Sequence, residues 1–170
     1  IKYPNLPIVG IEPALKPAVN NSKDGKILVM ATPMTLKEAK FHKLLDRYRD
    51  KREIEPVPCG GLMEYVEQGI LEGDELDDYL REKLKPFMDS KISSIVLGCT
   101  HYPFVKNAIE KVVGQDVDII DGSLGTAREL MRRLKEKDLL NDSKEKGTIE
   151  MINSSNKQEL IDLSWKLIEM

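Results

Sequence analysis

Cys99, Thr100 and His101 place a thiol, a hydroxyl and an imidazole on three consecutive residues, inside Gly98-Cys-Thr-His-Tyr-Pro103. An unperturbed thiol ionises near about pH 8.5 and an imidazole near about 6.5, so this group can take up or release protons close to neutrality. A thiolate is also a nucleophile and a metal ligand. Three chemistries are therefore open: proton transfer, acyl transfer through Cys99, and metal coordination. Cys59, Cys99 and His101 would supply three metal ligands, but the chain has no Cys-x-x-Cys or His-x-x-x-His pair. A Cys–His hydrolase needs the imidazole to reach the sulfur, and residues i and i+2 in one tight turn rarely aim at each other. Proton transfer asks least, with His101 orienting a substrate or relaying the proton. The bland alternatives are an inert buried Cys99, since free cysteine packs as a small hydrophobe, and a His101 that merely starts a helix.

The surrounding elements favour the reactive reading. Ser94 to Gly98 reads as a buried strand, and Pro103 opens a helix where a missing N–H costs nothing. Open α/β sheets bind ligands at such strand ends, and a helix N-terminus there would favour a thiolate at Cys99 and hold a substrate carboxylate. Lys26 to Ala31 is a second strand, apolar on both faces, ending in Thr32-Pro-Met-Thr35. Thr35 with Glu38 reads as a capping box for a helix to about Asp50, which leaves Thr32 for substrate. Glu53 to Val57 is a strand leading into Cys59-Gly-Gly61 and a helix with Glu67 at its middle. Gly73-Asp74 opens a helix to about Met88, with Pro86 at a kink or the last turn. Val117 to Asp121 is another strand, and Ser123 caps a helix to about Leu140. Leu6 to Ile11 and Thr148 to Ile152 are shorter strand candidates. Ala14 to Asn20 is a short helix and Ser155 to Met170 an amphipathic one. Strands alternating with helices imply a parallel α/β sheet covered on both faces. Thr32, Thr35, Cys59, Cys99, Thr100, His101 and Asp121 all fall at strand ends. For Thr35 capping alone is sufficient, for Glu67 a solvated face, for Cys59 a structural role, and for His42 and Glu12 plain surface.

The chain has 170 residues, 41% hydrophobic and 32% charged, the composition of a soluble domain or slightly more than one. A net charge of -3 gives no reason to expect nucleic acid or an anionic membrane as partner. No apolar run approaches the roughly 18–20 residues of a membrane span. Two cysteines make no disulfide framework, and Ile-Lys-Tyr-Pro is not the start of a signal peptide. The expected compartment is the cytoplasm. The chain begins without Met, as though in mid-protein.

Five ordered blocks resemble the glutamate racemase family, within the cofactor-independent aspartate/glutamate racemase superfamily. They are Ile8-Val-Gly-Ile-Glu-Pro-Ala14, Met30-Ala-Thr-Pro-Met-Thr35, Pro58-Cys-Gly-Gly-Leu-Met-Glu-Tyr-Val-Glu67, Leu97-Gly-Cys-Thr-His-Tyr-Pro103 and Ile119-Ile-Asp-Gly-Ser123. Met34 stands where the family usually has Gly, and Gly60 where it has Pro. The resemblance implies a parallel-sheet three-layer α/β lobe, with residues 6–123 as the second racemase lobe. Residues 124–170 would return to a first lobe that is incomplete here, so that a face with Ile161, Trp165 and Ile168 loses its partner. It implies a two-base mechanism without cofactor or metal, in which one Cys thiolate removes the α-proton of glutamate and a second thiol returns one. Cys99 is one base, His101 assists it, and Glu67 supports the relay. Thr32, Thr35, Thr100 and His101 bind substrate. The family's Asp-Ser-Gly loop and Cys-Asn-Thr turn have no match in this sequence, and Cys59 belongs to a different block, so these residues alone are expected not to racemise glutamate. The resemblance further implies glutamate as ligand and D-glutamate supply for peptidoglycan, while a homodimer is one partner left open. Aspartate- or hydantoin-type racemases remain open, as does a non-catalytic binding module, which an unshifted Cys99 thiol would favour.

Overall fold

Lys26–Ala31 forms β1, and every residue from Ile27 to Ala31 is fully buried. A short apolar run sealed on both faces is what a central parallel strand requires. The computed structural model describes residue 6 and residues 8–155 and 157–170. β1 pairs with β2, Ile54–Pro58, on one side and with β3, Ile92–Leu97, on the other. β4, Asp118–Ile120, lies beyond β3. Among the described residues the order is β2-β1-β3-β4, all parallel.

Alternation along β1 divides the core in two. Leu28 and Met30, with Val57, Ile95 and Leu97, pack against α4 (Leu62–Glu67), α5 (Asp74–Leu84) and α6 (Lys106–Val113). Ile27 and Val29, with Val96, pack against α1 (Leu15–Val19) and α3 (Ala39–Asp46). Each of these sealed aliphatic side chains contributes about 1.5–3 kcal/mol relative to exposure. The expected three-layer α/β lobe is therefore present. Asp77, buried in α5, is neutralised across the layer by Lys111 of α6. At the N-terminal end of the sheet the Arg52 guanidinium donates to the carbonyls of Asn21 (2.9 Å), Lys23 (2.6 Å) and Gly25 (3.1 Å).

α8, Gln158–Ile168, also belongs with the sheet: Leu167 packs against the core, and Leu163 Cδ1 is 3.5 Å from where a Cβ on Gly69 would stand. Its docked side is thus Leu163 and Leu167, while Ile168 on the expected face is 55% exposed. By contacts, residues 13–121 and 151–170 make one unit, and the described residues up to 12 make another with 122–150. The second unit is built on α7, Ser123–Glu136, whose cap is Gly122 and not Ser123. A Cβ on Gly122 would meet Glu12 O and Ile11 Cγ1 at 3.2 Å, so a side chain there would require these neighbours to shift. α7 stops short of Leu140 because Asp138 turns left-handed (φ 54°), and Leu139 N–H reaches back to Leu134 O at 2.9 Å. Leu124 and Met131 lie on its exposed side.

Two expected strands do not form. Ile8–Ile11 and Thr148–Ile152 have no ladder partner among the described residues, and Ile8, Ile11, Ile149 and Ile152 are each more than half exposed. An apolar run becomes a strand only where a neighbour accepts its backbone bonds. Pro7 lies outside the described residues. Among the described residues no helix is long and apolar enough to cross a membrane.

Two positions in the core give measurable consequences. A Cβ on Gly98 would stand 3.0 Å from Met30 O and 3.1 Å from Ala31 Cβ, against β1 backbone that cannot yield. Gly98→Ala is expected to cost about 1–3 kcal/mol in urea unfolding, whereas Gly10→Ala, with open space around it, costs little. Cys59 follows β2, is buried, and its thiol is pushed up from 9.0 to about 12 by that burial. An unfolded chain would release this proton first, so rising pH favours unfolding from about pH 9 until the folded thiol itself ionises near 12. Cys59→Ala should therefore lose less stability than the wild type between those limits, read as urea midpoints against pH.

Candidate active site

The chain leaves β1 towards β2 on one side and leaves β3 towards β4 on the other. The carboxyl ends of β1 and β3 thus flank the point where connections diverge, the position at which open α/β sheets form their binding crevice. Thr32 follows β1 directly, and Gly98-Cys99 follows β3. The two ends are held together by Gly98 N–H, which donates to Met30 O at 2.8 Å.

Cys99 is half-buried, and its Sγ lies 3.7 Å from His101 Nδ1. The far nitrogen, Nε2, is 3.6 Å from Glu67 Oε1. The three residues form a line running from solvent to sulfur. The imidazole does reach the thiol, contrary to the expectation for an i, i+2 pair. The reason is local: residues 99–105 coil rather than turn once. Tyr102 N–H donates to Cys99 O at 3.2 Å, His101 is helical (φ −80°, ψ −29°), and Tyr102–Val105 is a 3₁₀ helix. That coiling folds His101 back over Cys99. Glu67 is not in the middle of its helix but is the last residue of α4, with an exposed carboxylate.

The thiol of Cys99 is raised above its ordinary value, first by burial; the backbone N–H groups of His101, Tyr102 and Thr100 pull it the other way. The expected α-helix N-terminus is not what faces it, because α6 begins only at Lys106, after the 3₁₀ segment. Three N–H groups of the turn take that part, and burial outweighs them.

At the end of β1 the capping differs from expectation. Thr32, not Thr35, caps the helix α2 (Pro33–Lys37), accepting from Thr35 N–H at 3.2 Å, with Pro33 at the first helical position. The helix ends at Glu38, which is extended (ψ 134°), so α2 and α3 are separate. Thr32 Oγ1 and Thr35 Oγ1 are 2.9 Å apart. One hydroxyl donates to the other, and the second O–H of the pair remains to donate outward. A donor at this spot suits a carboxylate. Thr100 is exposed on the Cys99 turn.

Cys59 stays out of this chemistry, its Sγ donating to Val57 O at 3.4 Å. His42 is exposed on α3. Among the described residues no three His, Cys, Asp or Glu side chains converge as metal ligands would. Sequence reasoning missed Tyr102 and Tyr79. Tyr102 is fully buried with its hydroxyl on Cys59 O at 2.9 Å, and Tyr79 donates to Gly60 O at 2.9 Å. The available signal was that a buried tyrosine must find a partner for its O–H.

No family model matches the chain. It is similar to glutamate racemase from Clostridium perfringens, 54% identical over 168 residues, which is 99% of this chain and 65% of that protein. Among solved structures it is similar to Escherichia coli glutamate racemase in complex with L-glutamate and the activator UDP-MurNAc-ala. That likeness has a TM-score of 0.78 at 25% identity and covers 96% of this chain and 62% of that one. Glutamate racemase from Francisella tularensis in complex with D-glutamate gives a TM-score of 0.73 at 26% identity, covering 92% and 57%. The chain spans about 65% of the length of the curated relatives it matches. Its similarity to glutamate racemases thus runs along nearly all of its own length and along 65% of theirs.

Proposed function

We propose that these residues form one catalytic lobe of a glutamate racemase, in which Cys99 exchanges a proton with the α-carbon of glutamate. The observation that carries this is the contact of Cys99 Sγ with His101 Nδ1 at the end of β3, on the strand next to the Thr32–Thr35 hydroxyls. In one direction the Cys99 thiolate takes the α-proton, the C–H bond breaks, and its electron pair stays on carbon. In the other, the S–H bond breaks and its proton goes to that carbon. The carbanion is stabilised through the carboxylate, which accepts the outward O–H of the Thr32–Thr35 pair and bonds from Thr100. His101 shuttles the proton between the sulfur and Glu67, which is open to solvent.

The raised thiol of Cys99 suits the member of the pair that rests protonated and returns the proton. Racemisation needs a base on the opposite face as well. Buried Cys59 does not fill that place, so the second thiol comes from residues outside these 170, as the family resemblance implies. By the resemblance residues 6–123 belong to the second racemase lobe and the segment from 124 leads back to the first, which would cover the exposed Leu124 and Met131, whereas in this structure residues 151–170 group with the sheet. In the whole protein the reaction supplies D-glutamate for peptidoglycan in the bacterial cytoplasm. Its ligand is glutamate, needing no cofactor, with neither nucleic acid nor membrane as partner. The same raised thiol favours a second reading, a lobe that binds glutamate without exchanging its proton.

Exchange in heavy water separates the two. Incubated with L- or D-glutamate, the chain is expected to exchange the Cα hydrogen of one enantiomer without inverting it. The rate should climb up to about tenfold per pH unit while pH is below the thiol's raised ionisation, because only the thiolate abstracts. Cys99→Ser should slow exchange by about 10²-fold or more. Binding without exchange supports the second reading, and inversion would sink the assignment of one base to these residues.

A further inference from the structure

The three strand ends at the site are joined by hydrogen bonds that close on themselves. Gly98 N–H donates to Met30 O (2.8 Å) and links β3 to β1; Cys59 N–H donates to Ala31 O (2.9 Å) and links the end of β2 to β1. Tyr102 N–H donates to Cys99 O (3.2 Å), and Tyr102 Oη donates to Cys59 O (2.9 Å), returning from the β3 end to the β2 end. Every link but the last is backbone to backbone. The phenol of Tyr102 is the sole side chain in the ring, and it is fully buried. From this we infer that Tyr102 is a positioning residue: its hydroxyl tethers the Cys-Thr-His turn to the loop after β2 and so holds His101 Nδ1 against Cys99 Sγ.

The argument for position over mere packing is one of geometry. The ring of Tyr102 lies in the same core as Leu62, Val105 and Ile109, and that packing would survive loss of the oxygen. The hydroxyl adds direction, because a hydrogen bond weakens steeply when its angle is lost. His101 is the preceding residue, so any rotation of Tyr102 about the turn carries the imidazole with it. The N–H groups of Thr100, His101 and Tyr102 that oppose burial at Cys99 move with the same turn. Tyr79 provides the contrast: its hydroxyl holds the neighbouring carbonyl, Gly60 O, at the same 2.9 Å, yet it is not bonded to the turn.

This inference rests on Cys99 as the reacting thiol, and its reporter is that thiol, so it stands or falls without any measurement of racemisation. Alkylation of Cys99 by iodoacetamide is followed against pH in wild type, Tyr102→Phe and Tyr79→Phe, with Cys99→Ser giving the background from Cys59. Tyr102→Phe should move the midpoint to higher pH and slow alkylation at pH 8 by about threefold or more, half a pH unit of lost thiolate. His101→Asn should change the wild-type profile and have less effect when added to Tyr102→Phe. Tyr79→Phe should lower the urea midpoint as Tyr102→Phe does while leaving the profile in place. A Tyr102→Phe profile coincident with wild type, or moved to lower pH, overturns the inference. Equal shifts in both phenylalanine variants overturn it as well. Proton exchange that persists beside such a result would leave the reading of Cys99 intact.

Discussion

The contact on which the site depends is the one between Gly98 and the backbone of Met30. Parallel strands β1 and β3 could pair with almost any residue at this point, but the next residue must carry Cys99 to the level of Thr32. A side chain at 98 would crowd the two ends, since its first carbon would already be 3.0 Å from the Met30 carbonyl oxygen. Glycine lets the strands stay paired up to the residue before the thiol. The crevice follows from topology, because connections leave β1 and β3 in opposite directions.

Two opposed effects then act on Cys99. Burial resists a charged sulfur, and the N–H groups of the coil from Thr100 to Tyr102 favour it. In this chain burial is the larger. A thiol set this way holds its proton near neutrality, with part of its surface open and His101 Nδ1 3.7 Å from the sulfur. For the two-way proton transfer proposed above, this would be a usable poise. A base drawn far below neutrality would hold the thiolate yet have little tendency to take a proton from carbon.

Much of this was legible in the sequence. Lys26–Ala31 could hardly be anything but a buried strand, and Thr32, Thr35, Cys99, Thr100 and His101 sit at the strand ends to which the apolar pattern assigned them. What was not legible depended on partners distant in the chain. Thr148–Ile152 has the composition of a strand and no neighbour to pair with among the described residues. The cap moved from Thr35 to Thr32 because Pro33 fits the first helical position and the Thr32 hydroxyl reaches Thr35 N–H, a competition the capping-box spacing does not reveal. His101 reaches Cys99 only because the segment coils, and that coil is closed by backbone bonds invisible to residue type.

The two cysteines show how far residue type alone can mislead. Each follows a strand at the same end of one sheet, and each sits beside a glycine. Cys59 is 1% exposed and bonded to the Val57 carbonyl, and its own carbonyl accepts from the Tyr102 phenol, so burial outweighs the pull of Lys83 on its ionised form. Cys99 keeps part of its surface open, with an imidazole and three N–H groups around the sulfur. The difference arises from the order of the strands. At the end of β2 the Tyr102 phenol donates to Cys59 O, whereas β3 ends where the connections part and Cys99 stays only half-buried. One sheet therefore gives the same residue two environments, one sealed and one partly open, and Tyr102 is bonded to both, its N–H on Cys99 O and its phenol on Cys59 O.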